Sequence, residues 1–123
     1  MAKIMIVDDS KFMRKMLADI LTEEGHQIVG EAENGREATE LYDMLKPDLV
    51  TLDIIMPEVE EVDALSVLRE IIGKNPEAMV IMVSAMGQEE VVAECMDAGA
   101  KDFVVKPFRP SDVAGVVKKV LGA

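Results

Sequence analysis

The chain has 123 residues, 50% of them hydrophobic and only 3% aromatic, with one cysteine and a formal net charge of -11. That length suits one domain around one core, filled by aliphatic side chains and by 10 methionines. The charge repels a nucleic-acid duplex and an anionic membrane surface, and no local basic patch offsets it, so both are excluded as partners.

A single cysteine allows no intramolecular disulfide. The N-terminus lacks a signal-peptide pattern, and no apolar run is long enough to span a bilayer. A reducing cytoplasm is therefore the expected setting.

The first element is IMIV, residues 4–7, apolar throughout, as expected of a strand covered on both faces. It runs straight into Asp8 and Asp9. Helical spacing follows: Phe12, Met13, Met16, Leu17, Ile20 and Leu21 share one face, with Lys11, Lys15, Asp19 and Glu23 opposite. Glu24-Gly25 closes that helix. A second strand is QIVGEA (27–32), preceded by His26, the only histidine, which reads as solvent-facing. Asn34-Gly35 and Lys46-Pro47 bracket a second helix. A third strand, DLVTL (48–52), leads to Asp53 and to a third helix over roughly 60–73. A fourth strand, MVIMV (79–83), is followed by Ser84 and by a helix over 87–98 that ends at Gly99. Cys95 falls on its apolar side and reads as an inert buried thiol. The fifth strand, DFVV (102–105), precedes Lys106-Pro107 and a last helix over 110–121.

Five βα units in succession predict an α/β fold. The sheet should be parallel, with right-handed crossovers and helices on both faces. No linker or repeat interrupts them, so residues 1–123 are expected to form one domain. In such sheets ligands bind beyond the carboxyl ends of the strands. Asp8, Asp9, Asp53, Ser84 and Lys106 all fall there. Three carboxylates brought together repel, and at least one has a raised pKa unless a cation joins them. Oxygen-only ligands select a hard cation such as Mg²⁺. Each residue also has a plainer reading. Asp9 or Ser10 can cap the first helix, Asp53 can be a solvated loop acid, Ser is common at strand ends, and a lone Lys is usually at the surface. The shared placement at one sheet edge is what favours a site.

IMIVDD, LDIIMP, VSAMG and KDFVVKPF, in that order, resemble the receiver domain of two-component response regulators, and the resemblance spans the chain. It implies a flavodoxin-like (βα)5 fold with strand order 2-1-3-4-5. It implies a switch that catalyses its own phosphoryl transfer rather than a conventional enzyme. Asp53 would be the phosphoacceptor, and Mg²⁺ would be held by Asp9, Asp53 and the backbone carbonyl of Ile55, with Asp8 acting mainly through water. Lys106 and Ser84 would bind phosphoryl oxygens, with a cis Lys106-Pro107 bond aiming the ammonium. Ser84 and Phe103 would form the conformational switch, a reading favoured for Phe103 over the plainer one of core packing. Output would run through residues 87–121.

Ile55 and Met86 stand where the family tunes self-hydrolysis. Both are apolar, which implies slow dephosphorylation and an auxiliary phosphatase. The motifs around SAMGQ and AGAKDFVVKPF look most like stand-alone chemotaxis receivers. The implied partners are a chemotaxis histidine kinase of the CheA kind and a flagellar or archaellar motor switch or adaptor, with the receiver itself monomeric. A single-domain receiver of a non-chemotaxis phosphorelay is the alternative within the family, and two other classes compete. A pseudo-receiver that takes no phosphate is disfavoured by the intact acids, Ser84 and Lys106. A flavin- or phosphate-binding protein of this topology is disfavoured by acids where a phosphate loop belongs.

The chain departs from the family at PEVEEVDALSVL, where no glycine follows Met56-Pro57 until Gly73. Either Glu60-Glu61 replaces the usual Asp-Gly, or Asp63-Ala64 does. The second keeps Leu65, Val67, Leu68 and Ile71 in helical register. On that register the third helix is expected to start near Glu60, a turn early, with Glu58 to Val62 forming an acidic rim that helps Mg²⁺ entry and hinders anionic donors.

Overall fold

The computed structural model describes residues 1–56 and 62–122. Five strands, β1 (Lys3–Val7), β2 (Gln27–Ala32), β3 (Leu49–Asp53), β4 (Met79–Ala85) and β5 (Asp102–Lys106), alternate with five helices. These are α1 (Lys11–Glu23), α2 (Gly35–Leu45), α3 (Ala64–Lys74), α4 (Glu89–Asp97) and α5 (Pro110–Leu121). All neighbouring strands are parallel, in the order β2-β1-β3-β4-β5. The chain therefore winds outward in both directions from β1 and β3, and a crevice opens where the winding reverses.

The two sides of the sheet make two cores. Ile4, Ile6, Leu49 and Ile81 pack with Leu17 and Leu21 of α1 and Val117 of α5. Met5, Leu52 and Met82 face the other way, onto Leu68 and Ile71 of α3 and Cys95 of α4. This is the alternation of a pleated strand covered on both faces, and it explains why the central runs are apolar at nearly every position, with Thr51 of β3 the exception. Cys95 is fully buried, and burial pushes its thiol up, so it is the inert core residue expected.

The strands extend further than the sequence pattern indicates. Asp53 is the last residue of β3 and pairs with Val83; Ser84 lies inside β4 opposite Val105; Lys106 ends β5 opposite Ala85. The expectation set these residues just beyond the strands. The parallel ladder carries them instead, because their main chains keep pairing after the apolar side chains stop.

His26 also differs from expectation. It is half-buried, and its Nδ1 accepts the Ala2 amide at 3.1 Å, tying the β2 entrance to the N-terminus.

The largest correction concerns α3. Its first residue is Ala64, not Glu60, so the helix does not begin a turn early. Asp63 is its N-cap, with an extended backbone, and Oδ1 accepts the Ser66 amide at 2.8 Å. That bond holds the Asp63 carboxyl below its usual range. An acid that caps satisfies an orphan amide directly, whereas acids inside a first turn gain only the helix dipole. Capping wins. Asp63-Ala64 do take the expected place at the helix start, and Val67, Leu68 and Ile71 are buried as that register requires. Glu58, Glu60 and Glu61, on which the acidic rim and the alternative turn depend, lie outside the described residues.

Val62 precedes the cap and presses on Gly35, the first residue of α2. A Cβ at Gly35 would lie 2.8 Å from Val62 Cγ1, 2.8 Å from Val67 Cγ2 and 3.1 Å from the Val62 carbonyl oxygen. Side chains can shift; a main-chain carbonyl docked ahead of a capped helix cannot do so freely. Gly35→Ala should therefore destabilise the fold by about 1–3 kcal/mol despite the better helix propensity of alanine. Chemical denaturation checks this, and an unchanged or raised midpoint would refute the close approach.

Candidate functional site

Four polar or charged residues are buried among the described residues: Asp8, Thr51, Asp53 and Ser84. Three of them stand at the carboxyl edge of the sheet, and Thr51 lies two residues below Asp53 on the same strand. Burying polar groups is costly unless they are partnered. Their concentration at one edge locates the site without any motif.

The first loop is built around Asp8. Its amide donates to Ala32 O at 3.0 Å, which extends the β1–β2 pairing by one residue. Its Oδ1 accepts the Ser10 amide at 2.8 Å, and the Ser10 hydroxyl in turn accepts the Met13 amide at 3.1 Å as the N-cap of α1. Capping therefore falls to Ser10, and Asp9 is released from that role. Asp9 is exposed, yet one of its carboxylate oxygens lies within 4.8 Å of those offered by Asp8 and Asp53.

Lys106 reaches into this group from β5. Its Nζ is 3.3 Å from Asp8 Oδ2 and 3.4 Å from Asp53 Oδ2. The Lys106-Pro107 bond is cis, as expected. Asp53 Oδ1 also accepts the Ile55 amide, at 3.4 Å. Even so, burial first and the Asp8 charge second push the Asp53 carboxyl from 3.8 up to about 6. Lys106 and the Ile55 amide pull it down and do not win. One ammonium serves both Asp8 and Asp53, with Asp9 nearby, and the deficit adds to the effect of burial on Asp53.

That deficit is the test of whether a cation fits. The donors are all hard oxygens, they converge from two strand ends, and one of them resists ionisation because it is buried and faces the Asp8 charge. A hard divalent cation suits each feature. Among the described residues no other group of three His, Cys, Asp or Glu side chains is close enough to hold a metal ion.

Residues 4–118 match the family described as "Response regulator receiver domain". The chain belongs to that family. It is 53% identical to the chemotaxis protein CheY of Thermotoga maritima over 96% of both chains. With CheY of Bacillus subtilis it shares 48% identity over 97% of both. Among solved structures it is similar to a CheX–CheY–BeF3–Mg²⁺ complex from Borrelia burgdorferi, with a TM-score of 0.90 and 40% identity, covering 97% of this chain and 88% of that one. The receiver domain of NtrX from Brucella abortus superposes with a TM-score of 0.90 at 33% identity, covering 98% of each chain.

The remaining predicted residues of the receiver surround this centre. Ser84 is buried and, with Phe103, borders an apolar cleft of about 330 Å³ between α4 and β5 that Val92 and Met96 also line. Phe103 is 39% exposed and so is not core packing. Ile55 and Met86 are 60% and 78% exposed, one in each loop that follows β3 and β4.

Two residues escaped the sequence reading. Gln88 turns back so that its Oε1 accepts the Ala85 amide at 2.6 Å, closing the loop beyond Ser84. Arg14 sits on α1 and donates to Asp8 O at 2.6 Å. A glutamine that starts a helix and an arginine at the border of a helix's apolar face give no signal of their own.

The raised Asp53 carboxyl has a consequence for stability. Its folded value, about 6, lies above the 3.8 of an ordinary carboxyl. The folded state keeps a proton that the unfolded state releases, so this stabilisation is full below about 3.8 and is lost as pH rises through about 6. In chelator, Asp53→Asn should gain melting temperature over the wild type progressively across that window and hold a constant lead above it. Parallel curves for the two proteins would contradict the assignment.

Proposed function

We propose that this receiver is a phosphorylated signalling switch of chemotaxis. It takes a phosphoryl group on Asp53 from the phosphohistidine of a CheA-like kinase, in the cytoplasm. The observation that carries this is Lys106 Nζ held between Asp8 and Asp53, 3.3 and 3.4 Å away, with Asp9 alongside. Membership of the receiver family and near full-length similarity to CheY proteins support the chemotactic reading.

In the proposed reaction a carboxylate oxygen of Asp53 attacks phosphorus, the P–N bond to the donor imidazole breaks, and its electron pair leaves with the imidazole. There is little covalent chemistry for the protein to add, so it works by position and charge. Lys106 supplies a point charge for a phosphoryl oxygen. The Ile55 amide and the Ser84 hydroxyl supply donors from two sides. Asp8, Asp9 and Asp53, with the carbonyl of Ile55, would hold Mg²⁺, and the bound ion would offset the negative charge gathered on the transferring group.

The output reading follows from Ser84 and Phe103. Once Asp53 carries phosphate, the Ser84 hydroxyl turns toward it and leaves room for the Phe103 ring in the cleft beside α4. The face of α4, β5 and α5 then differs between the two states, which is what a motor switch or adaptor would read. Ile55 and Met86 flank the mouth with apolar side chains that cannot orient a water. Self-dephosphorylation is then slow, and an auxiliary phosphatase is a partner of this receiver. The complex of a Borrelia burgdorferi CheY with a second protein, CheX, together with BeF3 and Mg²⁺, supports the existence of a protein partner for such a receiver.

Two outcomes are expected. Incubated with Mg²⁺ and either acetyl phosphate or a phosphorylated kinase domain, the wild type should take label on Asp53. Asp53→Asn should take none while keeping the same circular dichroism spectrum, and labelling of that variant at the wild-type rate would overturn the acceptor assignment. In the second, the labelled wild type should lose phosphate over minutes or longer. A half-life of seconds would remove the case for a separate phosphatase.

A further inference from the structure

We infer that Arg14 is a positioning residue for the metal site, acting through the Asp8–Asp9 peptide; this rests on the reading of the acidic cluster as a Mg²⁺ site. The Arg14 side chain is only 13% exposed, at i−3 and i−7 from the buried Leu17 and Leu21 of α1. Its Nη1 donates to the carbonyl oxygen of Asp8 at 2.6 Å, and its Nε donates to Glu31 Oε1 on β2 at 3.1 Å. One planar guanidinium thus spans α1, β2 and the loop after β1, which a lysine could not do with both bonds at once.

The bond to Asp8 O matters because of what shares that peptide. Asp8 is otherwise held at its amide by Ala32 O, and at its carboxylate by the Ser10 amide and Lys106. Asp9, the next residue, is exposed, and its side chain makes no hydrogen bond among the described residues. The direction in which Asp9 leaves the main chain is set by the plane of the Asp8–Asp9 peptide. Arg14 fixes that plane. Without it, repulsion from Asp8 and Asp53 acts on an acid free to swing toward solvent, and the cluster opens on the Asp9 side. Groups that orient metal ligands commonly change affinity 10- to 100-fold when removed.

Glu31 has a smaller part. Its carboxylate is half-exposed and touches none of the acids, but it holds the far end of the guanidinium. Its removal should matter only while Arg14 is present.

The experiment is a calorimetric Mg²⁺ titration of wild type, Arg14→Gln, Arg14→Lys, Glu31→Ala and the Arg14→Gln/Glu31→Ala double variant. Each is first shown to be folded by circular dichroism in chelator. Arg14→Gln should bind Mg²⁺ about tenfold more weakly. Arg14→Lys, keeping charge and one bond, should fall between it and the wild type. Glu31→Ala should weaken binding less, and the double variant no more than Arg14→Gln alone. The labelling rate of Arg14→Gln should recover to the wild-type limit at saturating Mg²⁺. Equal affinity in wild type and Arg14→Gln, or a labelling defect that saturating Mg²⁺ leaves in place, overturns the inference. A wild type that takes up no Mg²⁺ overturns the metal reading, and this inference with it.

Discussion

Everything at the carboxyl edge of this sheet depends on one imbalance: the Lys106 ammonium faces both Asp8 and Asp53, and Asp9 stands beside them. In a buried setting that shortage of positive charge is not screened away. Burial is the larger cause of the raised carboxyl of Asp53, and the Asp8 charge adds to it. A surface loop would relax by letting the acids part. Here Asp8 is tied into the β1–β2 pairing and Asp53 is the final residue of β3. The sheet holds the charges together, so the edge stays receptive to a cation and to the phosphoryl chemistry proposed for Asp53.

The parts of the site differ in how firmly they are held. Asp8, Asp53, Ser84 and Lys106 lie on or against paired strands. Asp9, Ile55 and Met86 lie in loops and are exposed. The residues at the buried edge are given main-chain partners, and those proposed to meet donor, water or partner protein are left accessible. Arg14 and Gln88 serve the boundary between the two groups. Each uses one side chain to fix a main-chain atom, Asp8 O or Ala85 N, at the point where a strand gives way to a loop.

The fold was legible because the central strands are buried on both faces and so are apolar at nearly every position, Thr51 of β3 excepted, while the helices carry an apolar side. The acids, Ser84 and Lys106 were legible because apolar runs stop where they begin. What stayed hidden has a common cause. Strand ends were placed one or two residues short because hydropathy sees side chains, whereas Asp53, Ser84 and Lys106 remain in the ladder through their main chains. His26, Arg14 and Gln88 were missed or misread because each acts on a main-chain atom of a residue elsewhere in the fold or loop. Such partners leave no periodicity.

The start of α3 shows how a local rule can be right and still misplace an element. Acids do favour helix N-termini, and the run Glu60-Glu61-Val62-Asp63 offers three of them. Two further constraints decide among them. Val62 is docked on Gly35, which fixes the chain just ahead of the helix by a contact from another element. Asp63, immediately after, can then bring its carboxylate to the Ser66 amide, which a glutamate's longer side chain does less well. The contact between Val62 and Gly35 lies outside any window of helical periodicity. The choice of cap is a consequence of tertiary packing, and the chain reaches Ala64 already committed to it.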